Sequence, residues 1–295
     1  MIHPRYPHAL IFELKQKGVQ LSSMYRIIKN IFRINREEIF GEVEESVTMQ
    51  DVELALKEKR PEWIVNPSKE GFEVRYRITK QLYAGVSEYQ KIDIIENENF
   101  GRMMFLNNDA QIAESDGYLY NEAMVAPLRK KKGMHDILIL GGGDGGVAME
   151  ALKLKPKHIT MVDIDGMVVK VAKDFFPNFH KNIFANKKVT TVIEDAYAFL
   201  DNDHTYDAII YDLTMHPEEF MNIDRDAFLD AIFGKIKKNV RKKGIVSLQC
   251  ASEFDTETLH TAYRLLKKHF TKVRFSKIFI PSYCVRWVFA SAEVK

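Results

Sequence analysis

Eleven residues constrain this chain more than any others: Asp136-Ile137-Leu138-Ile139-Leu140-Gly141-Gly142-Gly143-Asp144-Gly145-Gly146. A short apolar run stops at glycines and passes into a segment with helical character, which reads as strand, turn and helix. About twenty residues later Met161-Val162-Asp163-Ile164-Asp165 gives a second apolar strand that ends in carboxylates. That order is the nucleoside-binding half of a doubly wound α/β sheet. Gly141, Gly143 and Gly146 form G-x-G-x-x-G, allowing a tight turn and close approach of backbone to ligand. An ordinary strand–turn–helix carries the same glycines. The carboxylates 22 and 24 positions after Gly141 are what turn the pattern toward nucleoside binding.

Asp144 narrows the ligand. A helix N-terminus attracts anions, and a carboxylate beside it competes with phosphate. Two unit charges of the same sign ~4 Å apart repel by about 4 kcal/mol at an effective dielectric of 20. A dinucleotide is therefore disfavoured, and a sulfonium nucleoside with a cationic tail is favoured. Asp163 ends its strand where a carboxylate holds ribose hydroxyls. Asp195 follows the strand Thr191-Val192-Ile193, placed either to accept from an adenine amino group or to cap the next helix. Asp212 ends Tyr206-Asp207-Ala208-Ile209-Ile210-Tyr211-Asp212 on the same sheet edge as Asp144 and Asp163. Calcium or magnesium is the alternative use of such carboxylates. Binding and deprotonating a cationic amine explains them better, and no metal is expected.

The remaining pattern supplies the frame. Strands are expected near 136–140, 158–163, 189–193, 207–212, 243–249, 271–279 and 284–291, with helices near 145–153, 167–175, 223–238 and 254–268. The buried strands are nearly continuous apolar runs, as parallel strands covered on both faces require. The last two lie close across Pro281 and read as an antiparallel hairpin. Between 70 and 112 the period falls to two, with Asn107-Asn108-Asp109 as a turn signal. A helix is expected over Tyr118–Leu128, a short strand at 6–14 and two helices between 20 and 59. The expected fold is α/β: a Rossmann-like, methyltransferase-type twisted sheet with helices on both faces. The division is an N-terminal α/β extension at 1–65 (a candidate dimerisation region), a small antiparallel β domain at 66–117 and a catalytic domain at 118–295.

Charge excludes little and supports no polyanion partner: 43 basic side chains stand against 41 acidic ones in 295 residues, a net of +2. Basic clusters at Arg129-Lys130-Lys131-Lys132 and Lys153 to Lys157 lack any nucleic-acid motif and read as a solvated loop and a strand start. Cys250 and Cys284, far apart within apolar segments, suit a reducing compartment. No run of eighteen apolar residues occurs and the start lacks a signal-peptide core, so a cytoplasmic protein without membrane or nucleic-acid partners is expected.

Over residues 85–292 the chain resembles the spermidine and spermine synthases, the polyamine aminopropyltransferases. The resemblance rests on Tyr89-Gln90, Ala113-Glu114-Ser115-Asp116, Tyr120 with Glu122, GGGDGG from Gly141, Asp163-Ile164-Asp165, Glu194-Asp195 and Asp212-Leu213-Thr214. Animal spermine synthase looks nearest, through Pro281-Ser282-Tyr283 and Trp287-Val288-Phe289, and Tyr6-Pro7-His8-Ala9-Leu10 looks like a shortened remnant of its amino-terminal domain. The resemblance implies a homodimer that transfers an aminopropyl group from decarboxylated S-adenosylmethionine, a co-substrate rather than a cofactor, to a polyamine such as spermidine. It implies a donor side of Gln90, Gly141, Gly142, Gly143, Asp144, Gly145, Asp163, Ile164, Glu194, Asp195 and Ala196. The implied acceptor side is Tyr120, Glu122, Asp212, Leu213, Thr214, Met215 and Val285, with Asp212, Tyr120 and Asp144 catalytic.

Two departures bear on the acceptor. Met215 stands where spermidine synthases usually carry a second aspartate, and Val285, next to Arg286, stands where spermine synthase carries a glutamate. Glu114, Glu122 or Glu218 are the candidates left to hold a distal amine. Methyl transfer from S-adenosylmethionine to a small amine is the alternative activity, with Arg286 offsetting the donor carboxylate. A non-catalytic nucleoside-binding homologue is the third reading.

Overall fold

The computed structural model describes residues 63–67, 71–131, 133–214 and 223–294. The strand expected at 6–14, the helices expected between 20 and 59, Met215 and Glu218 lie outside the described residues. The chain builds a two-stranded antiparallel ribbon, a four-stranded antiparallel sheet and a seven-stranded mixed sheet. The ribbon is β1 (Trp63–Pro67) with β2 (Glu73–Arg77). β1 crosses the expected boundary at 65/66. The four-stranded sheet follows chain order: β3 (Lys80–Val86), β4 (Lys91–Asn97), β5 (Gly101–Leu106) and β6 (Asp109–Ala113). Asn107 and Asn108 make the two-residue turn from β5 to β6, with φ of 50° and 71° as that hairpin geometry demands.

The large sheet uses β7 (Asp136–Gly141), β8 (His158–Asp163), β9 (Val189–Ile193), β10 (Tyr206–Asp212), β11 (Val240–Ser252), β12 (Thr271–Ile280) and β13 (Val285–Glu293). Its spatial order is β12-β13-β11-β10-β7-β8-β9. β11, β10, β7, β8 and β9 run parallel, and β13 is antiparallel to both β11 and β12. The expected terminal hairpin is therefore present, with its second strand inserted beside β11. Helices α1 (Gly117–Arg129), α2 (Gly146–Leu152), α3 (Gly166–Phe175), α4 (Pro177–His180), α5 (Ala196–Phe199), α6 (Arg225–Asn239) and α7 (Thr256–His269) complete the unit.

Alternation along the strands divides the core. Leu138 and Leu140 pack with Phe228, Ile232, Phe233 and Leu265 of α6 and α7 on one face. Ile137 and Ile139 pack with Met124, Val125, Val147 and Ala148 of α1 and α2 on the other. A strand with both neighbours paired and both faces covered must be apolar where it is buried, as Ile137–Leu140 of β7 are. The small sheet is double-sided too. Ile92, Ile94 and Met104 meet Val168, Val171 and Phe176, whereas Ile95, Met103 and Phe105 meet Ile64 and Tyr76 of the ribbon. That first cluster fixes the small sheet against α3, next to the turn after β7. The winding of the sheet reverses between β7 and β10, so the crevice beyond their C-terminal ends is the switch point where such sheets bind ligands.

Candidate active site

Gly141 closes β7 directly opposite Asp212, the last residue of β10. Its φ is +86°, and a Cβ there would run into the backbone carbonyl oxygen of Asp212. Only glycine lets the two strand ends approach in this way. Gly143 donates its N–H to Asp163 Oδ2 at 2.9 Å, and a Cβ on it would lie 2.6 Å from that oxygen. Asp163 Oδ1 accepts from Asp165 N at 2.9 Å, so both oxygens already hold backbone while keeping further lone pairs. Asp144 folds back to accept from Gly146 N at 2.6 Å.

These groups open on a cavity of about 360 Å³ between the two sheets. Gln90, Gly142, Gly143, Asp144, Asp163, Tyr120, Asp212, Leu213, Thr214 and Val285 line it. Five aspartates reach its wall (Asp109, Asp144, Asp163, Asp212 and Asp255), and no lysine, arginine or histidine does so among the described residues. The electrostatics follow mainly from burial. Burial pushes the Asp144 and Asp163 carboxyls up to about 6 against the opposing help of their backbone hydrogen bonds. Burial first, then the charge of Asp144, holds Asp212 well above the ordinary carboxylate range. Tyr120 donates its hydroxyl to Asp212 Oδ1 at 2.5 Å. Burial and that carboxylate raise the phenol well above 10, so it stays a donor. Among the described residues no group of three or more His, Cys, Asp or Glu is placed to hold a metal ion.

The wall around Asp212 includes residues that sequence reasoning did not assign. Gln249 Nε2 donates to Leu213 O at 2.6 Å, and its Oε1 accepts from Trp287 Nε1 at 3.1 Å. Tyr283 donates to Gln111 O at 2.5 Å and packs edge-on against Tyr120, with centroids 6.4 Å apart. The turn carrying Tyr283 is held by Asp116, which accepts from Ser282 N at 2.6 Å and Ser282 Oγ at 2.8 Å. A glutamine inside the buried run Ile245–Ala251 at the C-terminal end of a parallel strand was the available signal for Gln249, because a buried amide needs partners. Asp255, Asp109 and Gln111 come from two distant chain segments and carried no such mark.

Several expected site residues are not part of the cavity lining. Gly141 and Gly145 shape the turn without lining the cavity, and Ile164, Glu194 and Ala196 are also outside its lining. Asp195 is outside it as well and caps α5, accepting from Tyr197 N at 2.9 Å. Gln90 lines the cavity but donates to Asp165 Oδ2 at 2.9 Å. Glu122 does not line it: two positions after Tyr120 on α1, it is turned roughly 200° around the helix. Glu114 accepts from Arg102 N at 3.3 Å and is outside the lining. Arg286 pairs with Glu253 at 3.2 Å on the exposed side of β13, away from the cavity.

Comparison with known proteins agrees with this geometry. A family model described as spermine/spermidine synthase domain matches residues 118–295, and one described as spermidine synthase tetramerisation domain matches residues 62–114. The chain is 34% identical over 224 residues to a polyamine aminopropyltransferase of Sulfurisphaera tokodaii, spanning 74% of each chain. It is 30% identical over 240 residues to that of Alkaliphilus metalliredigens, spanning 78% of this chain and 82% of the relative. The solved spermidine synthase of Thermotoga maritima has the same fold, with a TM-score of 0.71 at 22% identity over 81% of this chain and 84% of that one. A spermidine synthase solved with the transition state analogue AdoDATO matches equally, at a TM-score of 0.71 and 22% identity over 81% and 84% of the two chains. With a glycine-turn crevice, a carboxylate-lined cavity and these relatives, the chain belongs to the spermidine/spermine synthase family of polyamine aminopropyltransferases.

Proposed function

We propose that this chain transfers an aminopropyl group from decarboxylated S-adenosylmethionine to a polyamine such as spermidine, giving spermine or a related polyamine and methylthioadenosine. One observation carries the reading: five carboxylates and no basic side chain among the described residues line one cleft. Both co-substrates are cations, and a low-dielectric cavity of one sign concentrates the other.

Asp163 and Gln90 hold the nucleoside, and Asp144 holds the ammonium of the aminopropyl arm. The arriving amine is protonated in water, with a pKa of roughly 10.4, and has no lone pair to give until a base takes its proton. Asp212, held by Tyr120, accepts that proton, and its raised pKa makes it a stronger base than an ordinary carboxylate. Nitrogen then bonds the carbon next to sulfur, the C–S bond breaks, and its electron pair neutralises the sulfonium. The protein's task is alignment and charge stabilisation. Leu213, Thr214 and Val285 border the acceptor path. The position of Arg286 favours aminopropyl over methyl transfer, because no described cation in the lining offsets a donor carboxylate. The β-rich region from β1 to β6 serves as the small domain and residues 118–295 as the catalytic domain of a homo-oligomer in the cytoplasm.

Purified protein given decarboxylated and intact S-adenosylmethionine with putrescine, spermidine and spermine tests this. Aminopropylated products by mass are expected with the decarboxylated donor. Their absence with every amine would refute the proposal.

A further inference from the structure

Met215 and Val285 stand where the resembled enzymes carry acidic anchors for the far end of the acceptor, yet another carboxylate, Asp255, lines the same cavity. From the position of Asp255 we infer that it binds the distal ammonium of the acceptor and sets the enzyme's preference for polyamines over monoamines. The inference rests on the functional reading above and deepens it.

Asp255 stands at the junction of β11 and α7. Its Oδ1 accepts from Thr258 N at 3.0 Å, which fixes the side chain as a helix cap. Its backbone N–H donates to Ser252 O at 3.2 Å, which folds the turn back on the end of β11. Ser252 is the register partner of Trp287, and both line the cavity with Asp255. The strand connects this end to the base. Gln249 grips the carbonyl of Leu213, the residue after Asp212, and Ser252 lies three residues further along. At about 3.3 Å per residue, with one residue absorbed by the bulge between Gln249 and Ala251, the interval is roughly 7–10 Å. Val285, Trp287 and Leu213 give the wall between an apolar character suited to methylenes. The reacting amine thus meets Asp212 at one end, and a second ammonium meets Asp255 at the other. The neighbouring Glu253 is engaged by Arg286 and Lys277, whereas Asp255 is in no ion pair among the described residues.

The test compares wild type with Asp255→Asn and Asp255→Ser, both of which retain a capping side chain. Acceptors are 1-aminobutane, 1,4-diaminobutane and spermidine, with saturating decarboxylated S-adenosylmethionine and thermal unfolding as the folding control. Either folded variant should raise KM for the preferred polyamine about tenfold or more, as loss of a charged hydrogen bond implies. kcat, the donor KM and the efficiency with 1-aminobutane should hold within about twofold, and Asp255→Glu should restore part of the loss. An unchanged polyamine KM in a folded variant, or an equal loss with 1-aminobutane, would overturn the inference. Wild type inactive with all three amines would instead defeat the functional reading, and this inference with it.

Discussion

Replacing Asp144 should make the ligand-free protein more stable and a worse enzyme. Its carboxyl is held at about 6 rather than 3.8, mainly by burial. A group whose folded pKa is raised binds its proton more tightly in the native state. Its favourable contribution is therefore whole below about pH 4 and is lost as pH rises through about 6. Above that range the ionised group costs the native state about 3 kcal/mol. Asp144→Asn keeps an oxygen to accept from Gly146 N and removes the charge that also burdens Asp212. Some of the gain is offset because the new amide N–H groups need partners. Net stabilisation of about 1–3 kcal/mol at pH 8 is expected, a rise of several degrees in Tm for a chain of this size. Denaturant unfolding of both proteins without ligand at pH 8 and pH 4.5 checks it: the variant's advantage should shrink at the lower pH. Donor binding should weaken about tenfold or more, since the ammonium of the aminopropyl arm loses its charged partner. A variant that is no more stable than wild type at pH 8 would refute the account of Asp144 as a charge destabilised by its burial.

Asp212→Asn should abolish turnover while leaving donor affinity within about threefold, because the base faces the acceptor; calorimetry with the donor distinguishes this from a collapsed site. Affinity for the donor should rise between pH 5 and 7.5, as Asp144 and Asp163 ionise through about 6, with proton release detectable in buffers of different ionisation enthalpy. Gln249→Leu should lower kcat and cost about 1–3 kcal/mol in denaturant unfolding, since it strands the Leu213 carbonyl and the Trp287 indole N–H together.

The sheet was legible because its physics is local. A buried parallel strand must be apolar on both faces, and β7 and β10 announce themselves as Ile137–Leu140 and Ala208–Tyr211. The glycines of the first turn were legible for the same reason, since the approach of Gly141 to Asp212 leaves no room for a side chain. Aspartates that end strands could be placed on one edge from strand direction alone. What sequence could not give was the partner of a side chain. Asp195 reads first as an adenine acceptor, with a helix cap as the alternative, and in the fold its Oδ1 takes the backbone N–H of Tyr197. Glu122, two residues from Tyr120, is carried off the cavity by the helical turn. Asp255 and Gln111 reach the cleft through the junction of β11 with α7 and through β6, so their proximity depends on the packing of the small sheet against the large unit.

The central claim is that this cleft selects a donor by its missing carboxylate. Calorimetric titration of the protein with decarboxylated and with intact S-adenosylmethionine, in one buffer at pH 7.5, tests it most directly. The intact donor brings an extra negative charge into a cavity already lined by Asp144, Asp163 and Asp212, so the decarboxylated form should bind more than tenfold tighter. Equal affinity, or preference for the intact donor, would contradict the account.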